Sequence, residues 1–185
     1  MSTDPEGREP SERRLPRPVT AKYLERAALA YLERYASSED NLRRVLRRKI
    51  DKRCLLRGED PASFRPLVDD VIARALRAGL IDDTCYAQAR VATLRRRGGS
   101  ARAIQAKLSA KGVDRATIAA ALDGDDRDRE VDEAAAAHAF ARRRKLGPYR
   151  PSERRSYREK DMASLARAGF SYAVARSVID GEPLA

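Results

Sequence analysis

Cys54, Cys85 and His138 are the only cysteines and the only histidine in this chain of 185 residues. They occur in no Cys-x-x-Cys or His-x-x-x-His spacing, so a structural zinc site is not expected. His138 lies in AAAAHAFARRRK, with no nucleophile or ligand partner nearby in sequence, and is assigned a packing role. Asp82 and Asp83 are adjacent carboxylates, but neighbours on a helix do not face each other and make a poor acid–base couple. One is expected to cap the helix that begins at Thr84, the other to meet its dipole. RRRGGS (residues 95–100) carries Gly98 and Gly99 without the spacing of a phosphate loop. Its glycines serve to stop one helix and let Ser100 cap the next. No catalytic residue, metal ligand or cofactor is expected.

Binding chemistry is more plentiful. The net charge is +11 and the pI about 10.1, which favours a polyanionic partner. In residues 1–18, Arg8, Arg13, Arg14 and Arg17 balance Asp4, Glu6, Glu9 and Glu12, so the excess belongs to the body. There it clusters. Arg43, Arg44, Arg47 and Arg48 form one group, Arg95, Arg96 and Arg97 a second, and Arg142, Arg143, Arg144 and Lys145 a third. Such segments, recurring along a chain, suit a phosphate backbone or an acidic protein groove.

The elements that position these groups are all helical. Ala, Leu, Arg and Glu dominate, only 5% of residues are aromatic, and strand-like alternation is absent. Residues 1–18, with four prolines among polar residues, are expected to be a disordered tail. Helical spacing begins at Val19, and Tyr23, Leu24, Ala27, Ala28, Tyr31, Leu32 and Tyr35 follow it. Ser37 or Ser38 caps a second helix whose Leu42, Val45, Leu46 and Ile50 share one face. Residues 51–66 are expected to be a loop, on the strength of Gly58, Pro61 and Pro66. A third helix closes at Gly79.

An internal echo follows. KLSAKGVDRATIAAALD (107–123) and SLARAGFSYAVARSVID (164–180) align without gaps at a 57-residue offset. Each ends a helix at a glycine, plugs the core with the next residue, then caps a short helix. The pattern implies three tandem three-helix units, near 21–79, 80–123 and 125–180, stacked end to end in an elongated body. Residues 100–122 have the outline of a helix-turn-helix, yet Asp114, Arg115, Thr117 and a run of alanines offer little with which to read base edges. No apolar run approaches the length of a membrane span and no signal peptide opens the chain, so a cytoplasmic protein with reduced thiols is expected.

YLERYASSEDNLRRVLRRK, RALRAGLIDDTCYA, SARAIQAKLSAKGV and LARAGFSYAVARSVI, in that order, resemble the RecX family of bacterial regulators of the RecA recombinase. The resemblance covers roughly residues 25–180. It implies three tandem three-helix repeats and no enzymatic activity. It also implies a monomer that binds in the helical groove of the RecA–DNA filament and damps ATPase and strand exchange, in recombination, repair and the SOS response. DNA contacts, to single or double strands, would be non-specific. Two positions depart from the family: Arg90 stands where an aromatic is usual, and Ala103 where a basic residue often precedes the helix isoleucine, with Arg102 one position earlier. Direct DNA binding through the helix-turn-helix is the alternative.

Overall fold

The computed structural model describes residues 15–123 and 126–183, with side chains from 130 onward in the second stretch. Among the described residues there are nine α-helices and no strand: α1 (Ala21–Leu32), α2 (Glu39–Arg57), α3 (Arg65–Arg77), α4 (Asp83–Arg96), α5 (Ala101–Ser109), α6 (Arg115–Leu122), α7 (Asp126–Arg144), α8 (Arg154–Arg167) and α9 (Tyr172–Asp180). Six begin at a side chain that accepts a backbone N–H of the first turn: Thr20, Ser38, Asp82, Ser100, Asp114 and Ser171. Those donors have no partner inside the helix, which is why Ser, Thr and Asp start it.

The helices gather in threes around separate cores. Leu24, Leu42, Leu46, Ile50, Val68 and Ile72 centre the first, with Ile81 joining it from just beyond the expected boundary at residue 79. Tyr86, Val91, Ile104, Leu108, Val113 and Ile118 form the second. Ala137, Phe140, Leu165, Phe170, Val178 and Ile179 form the third. Ile104 and Leu108 are equivalent to Leu42 and Leu46 at an offset of 62 residues, and all four are at most 1% exposed.

Two expectations are corrected. Residues 51–66 are not a loop, because α2 runs on to Arg57. Cys54, fully buried, continues the stripe of Leu42, Leu46 and Ile50 one turn further. A stripe one residue wide, set among charged neighbours, is enough to hold a helix against a core. Gly58 ends it, Asp60 caps a 3₁₀ turn at Pro61–Phe64, and Pro66 sits in the first turn of α3, where its missing N–H costs nothing. The tail assigned to 1–18 lies outside the described residues for 1–14. Its last residues are held along α2: Arg57 donates to the Pro16 carbonyl (2.8 Å) and Arg53 to that of Arg17 (2.5 Å).

The third core contains a charge. Asp161, 1% exposed, falls at the position equivalent to Ile104 under the 57-residue offset. It accepts from the Gly147 N–H (2.8 Å) and from both Nε (3.2 Å) and Nη2 (2.6 Å) of Arg150. Buried carboxylates persist when paired in this way. The bonds fix the 3₁₀ turn Gly147–Tyr149 that leads into α8. His138 is buried with its Nδ1 3.0 Å from the Tyr149 hydroxyl, and burial, with Arg142 nearby, holds its pKa below the ordinary value. Its surroundings are those of a packed side chain.

Candidate partner-binding surface

Neighbouring units meet through a joint that is built twice. In the first, Ser38 caps α2 and donates its hydroxyl proton to the Lys111 carbonyl (2.5 Å), immediately before Gly112. In the second, Ser100 caps α5 and donates to the Ala168 carbonyl (2.7 Å), immediately before Gly169. Each hydroxyl thus serves its own helix as acceptor and the next unit as donor, using both capacities of the group. A carboxylate returns the favour. Asp83 at the start of α4 accepts the Glu39 N–H (2.8 Å), and Glu133 on α7 accepts the Ala101 N–H (3.1 Å). Both N–H groups lie at the first position of a second helix and have no intrahelical partner. Asp83 therefore caps α2 across the joint, while Asp82 alone caps α4, accepting from Thr84 (2.8 Å) and Cys85 (3.0 Å).

The electrostatics of the two aspartates diverge accordingly. Burial, with Glu39, Asp114 and Asp82 as like charges, raises the Asp83 carboxyl above its ordinary pKa against the lowering effect of the Glu39 N–H. Hydrogen bonds from Cys85 lower that of Asp82. The glycines permit the contact. Both Gly112 (φ +79°) and Gly169 (φ +95°) are left-handed, and a Cβ on Gly112 would overlap the Asp40 side chain. The second joint has a further layer: Gly98 lies so close to α7 that a Cβ there would stand 2.5 Å from the Phe140 nitrogen.

The arginines divide along these lines. Arg43 pairs with Glu39 (2.8 Å) and Asp69; Arg44 pairs with Asp40 (3.3 Å) and donates to the Ala110 carbonyl (2.8 Å), bracing the first joint. Arg95, its side chain 13% exposed, pairs with Glu133 and braces the second. Arg47 and Arg48 are exposed on α2, one turn beyond Arg43 and Arg44. Arg102 is exposed beside Gly169. Arg90 is half-buried near Tyr86.

The remaining residues converge. Arg143 Nη1 donates to the Arg97 carbonyl (2.8 Å), and Arg144 lies over the ring of Phe140 (5.1 Å to its centre), the residue whose backbone Gly98 packs against. The ends of α4 and α7 thus meet at the Arg143–Arg97 bond in a basic ridge built from two units, flanked by the exposed Arg96, Arg144 and Lys145, with Arg142 turned over the Tyr149 ring of its own unit. A sequence signal accompanies it: residues 84–113 and 134–152 contain no Asp or Glu. These acid-free stretches supply the two sides of the ridge.

The helix-turn-helix outline fares differently. α6 turns Ile118 inward and borders, with Ala119 and Leu122, a cleft of about 770 Å³ shared with Ala173 and Val174 of α9. Its one long polar side chain is Arg115.

A family model described as "RecX, second three-helix domain" matches residues 82–122. The regulatory protein RecX of Myxococcus xanthus is 42% identical over 170 residues, covering 91% of this chain and 90% of its own length. That of Agrobacterium fabrum is 34% identical over 156 residues, covering 83% and 79%. The crystal structure of RecX from Lactobacillus salivarius superposes with a TM-score of 0.60 at 22% identity, covering 86% of this chain and 94% of that one, and shares its all-helical fold. With relatives this similar along most of its length, the chain belongs to the RecX family of regulatory proteins.

Proposed function

We propose that the chain regulates homologous recombination by binding the RecA recombinase filament, lowering its ATPase and strand exchange without a catalytic centre of its own. The observation that carries the reading is the ridge of Arg96, Arg97 and Arg142–Lys145, raised across a joint between units in a chain whose relatives are regulatory proteins. Rigid stacked units with cations shared between them suit a long, repetitive, acidic partner better than a compact one. The partner surface is RecA protein, the DNA it carries, or both. In this reading the chain acts as a cytoplasmic monomer; among the described residues no helix is long and apolar enough to cross a membrane.

The test is a titration of the purified chain into RecA hydrolysing ATP on single-stranded DNA. Falling turnover and shorter filaments near equimolar dose are expected; unchanged turnover and filament length would sink the proposal. A sequence-reading helix-turn-helix is disfavoured because α6 has Arg115 and a run of alanines where base-edge contacts need Arg, Asn or Gln side chains.

A further inference from the structure

We infer that the ridge at the second joint is a phosphate-backbone seat for nucleic acid, not a contact for the protein part of a filament. The inference rests on the filament-binding reading above and assigns one surface within it. Three observations support it. Arg96, Arg97 and Arg144 are exposed, and none has a carboxylate partner among the described residues, whereas Arg95 in the same triplet is spent on Glu133. The two stretches that form the ridge contain no acid of their own, and Glu133, at the same joint, is already paired with Arg95. It also offers almost no apolar surface: Phe140 is 8% exposed and Leu146 7%.

Protein interfaces draw their affinity from buried aromatic and aliphatic anchors. Most exposed large apolar side chains, from Leu29 to Leu80, lie in the first unit or just after it; beyond them, Val131 stands three turns before the arginines of α7 and Tyr172 opens α9. A phosphate backbone needs no such anchor. It takes paired cations at intervals and releases counterions on binding. The bond from Arg143 to the Arg97 carbonyl sets the spacing between the two sides of the ridge, so the seat is preformed and indifferent to base sequence.

The experiment measures binding of the full chain to a fluorescein-labelled oligothymidylate by anisotropy, across a salt series. Arg96→Ala/Arg97→Ala is compared with Arg47→Ala/Arg48→Ala, which removes the same charge from α2. The ridge variant is expected to bind roughly tenfold more weakly, with a salt slope lower by about 1.4, and the α2 variant to change little. Circular dichroism checks folding, and Arg144→Ala repeats the test from the other unit should the double variant misfold. Equal losses in the ridge and α2 variants, or an unchanged salt slope, would overturn the inference. So would a ridge variant that holds the oligonucleotide normally yet no longer lowers RecA turnover, because the ridge would then face protein. Failure of the wild type to affect RecA would remove the proposed function and leave the oligonucleotide result standing.

Discussion

Ser38 donates to the Lys111 carbonyl across 73 residues of sequence, and Ser100 makes the same bond to Ala168 across 68. Each hydroxyl also closes the first turn of its own helix. Removing either one uncaps a helix and orphans a carbonyl in the joint. Ser38→Ala and Ser100→Ala should therefore each cost about 2–3 kcal/mol, more than an ordinary cap. Urea denaturation of the single variants checks this, and a loss below that of an ordinary cap would show the joints carry no tension between units.

Gly98 and Gly58 are both left-handed, at φ +74° and +68°, but only Gly98 touches another unit. Gly58→Ala should cost about 1 kcal/mol, the strain of that conformation alone. Gly98→Ala adds a clash with the Phe140 backbone, which has no rotamer to escape into, and should cost at least twice as much. Thermal melts of the two variants side by side decide the matter.

Asp82 and Asp83 should respond to acid with opposite sign. The folded pKa of Asp82 is depressed, so its stabilisation is complete above the ordinary carboxylate pKa of about 3.9 and is lost as pH falls through the depressed value. That of Asp83 is raised, so the folded state holds the proton more tightly and stability from this group falls as pH rises through the carboxylate range. Asp83→Asn keeps an oxygen for the Glu39 N–H and removes a buried charge; it should be neutral or stabilising at pH 7. Asp82→Asn should be destabilising there, with the gap to wild type narrowing below pH 4. Denaturation midpoints measured from pH 3 to 7 test both.

Arg95 should part company with its two neighbours. Arg95→Ala leaves Glu133 half-buried without its cation and should cost about 2 kcal/mol. Arg96→Ala and Arg97→Ala should each stay within about 0.5 kcal/mol, as exposed substitutions do. A loss of stability from all three alike, measured by chemical denaturation, would dissolve the distinction.

The sequence made the caps and turns legible because their chemistry is local. Ser38, Asp82, Ser100 and Ser171 announce helix starts within three residues, and Gly112 and Gly169 announce stops. It did not reveal that the same serines are joints, because the second bond of each hydroxyl goes to a residue about seventy positions away. The end of α2 was hidden because charged residues surround a single apolar row. Asp161 was hidden because a paired charge occupies a place that periodicity assigns to an isoleucine. As for the ridge, its arginines were visible but their division was not: Arg95 and Arg96 look alike until Glu133, 38 residues downstream of Arg95, claims one of them.

The direction of the joints has a consequence for synthesis. In both, the helix is made first; the carboxylate that accepts its first N–H and the carbonyl that accepts its capping serine are made later. At roughly 5–20 residues per second, Ser38 waits several seconds on the ribosome for Lys111. The chain thus matures backwards, each unit being finished by the one that emerges after it, and a nascent chain released early carries an open helix end at its last unit.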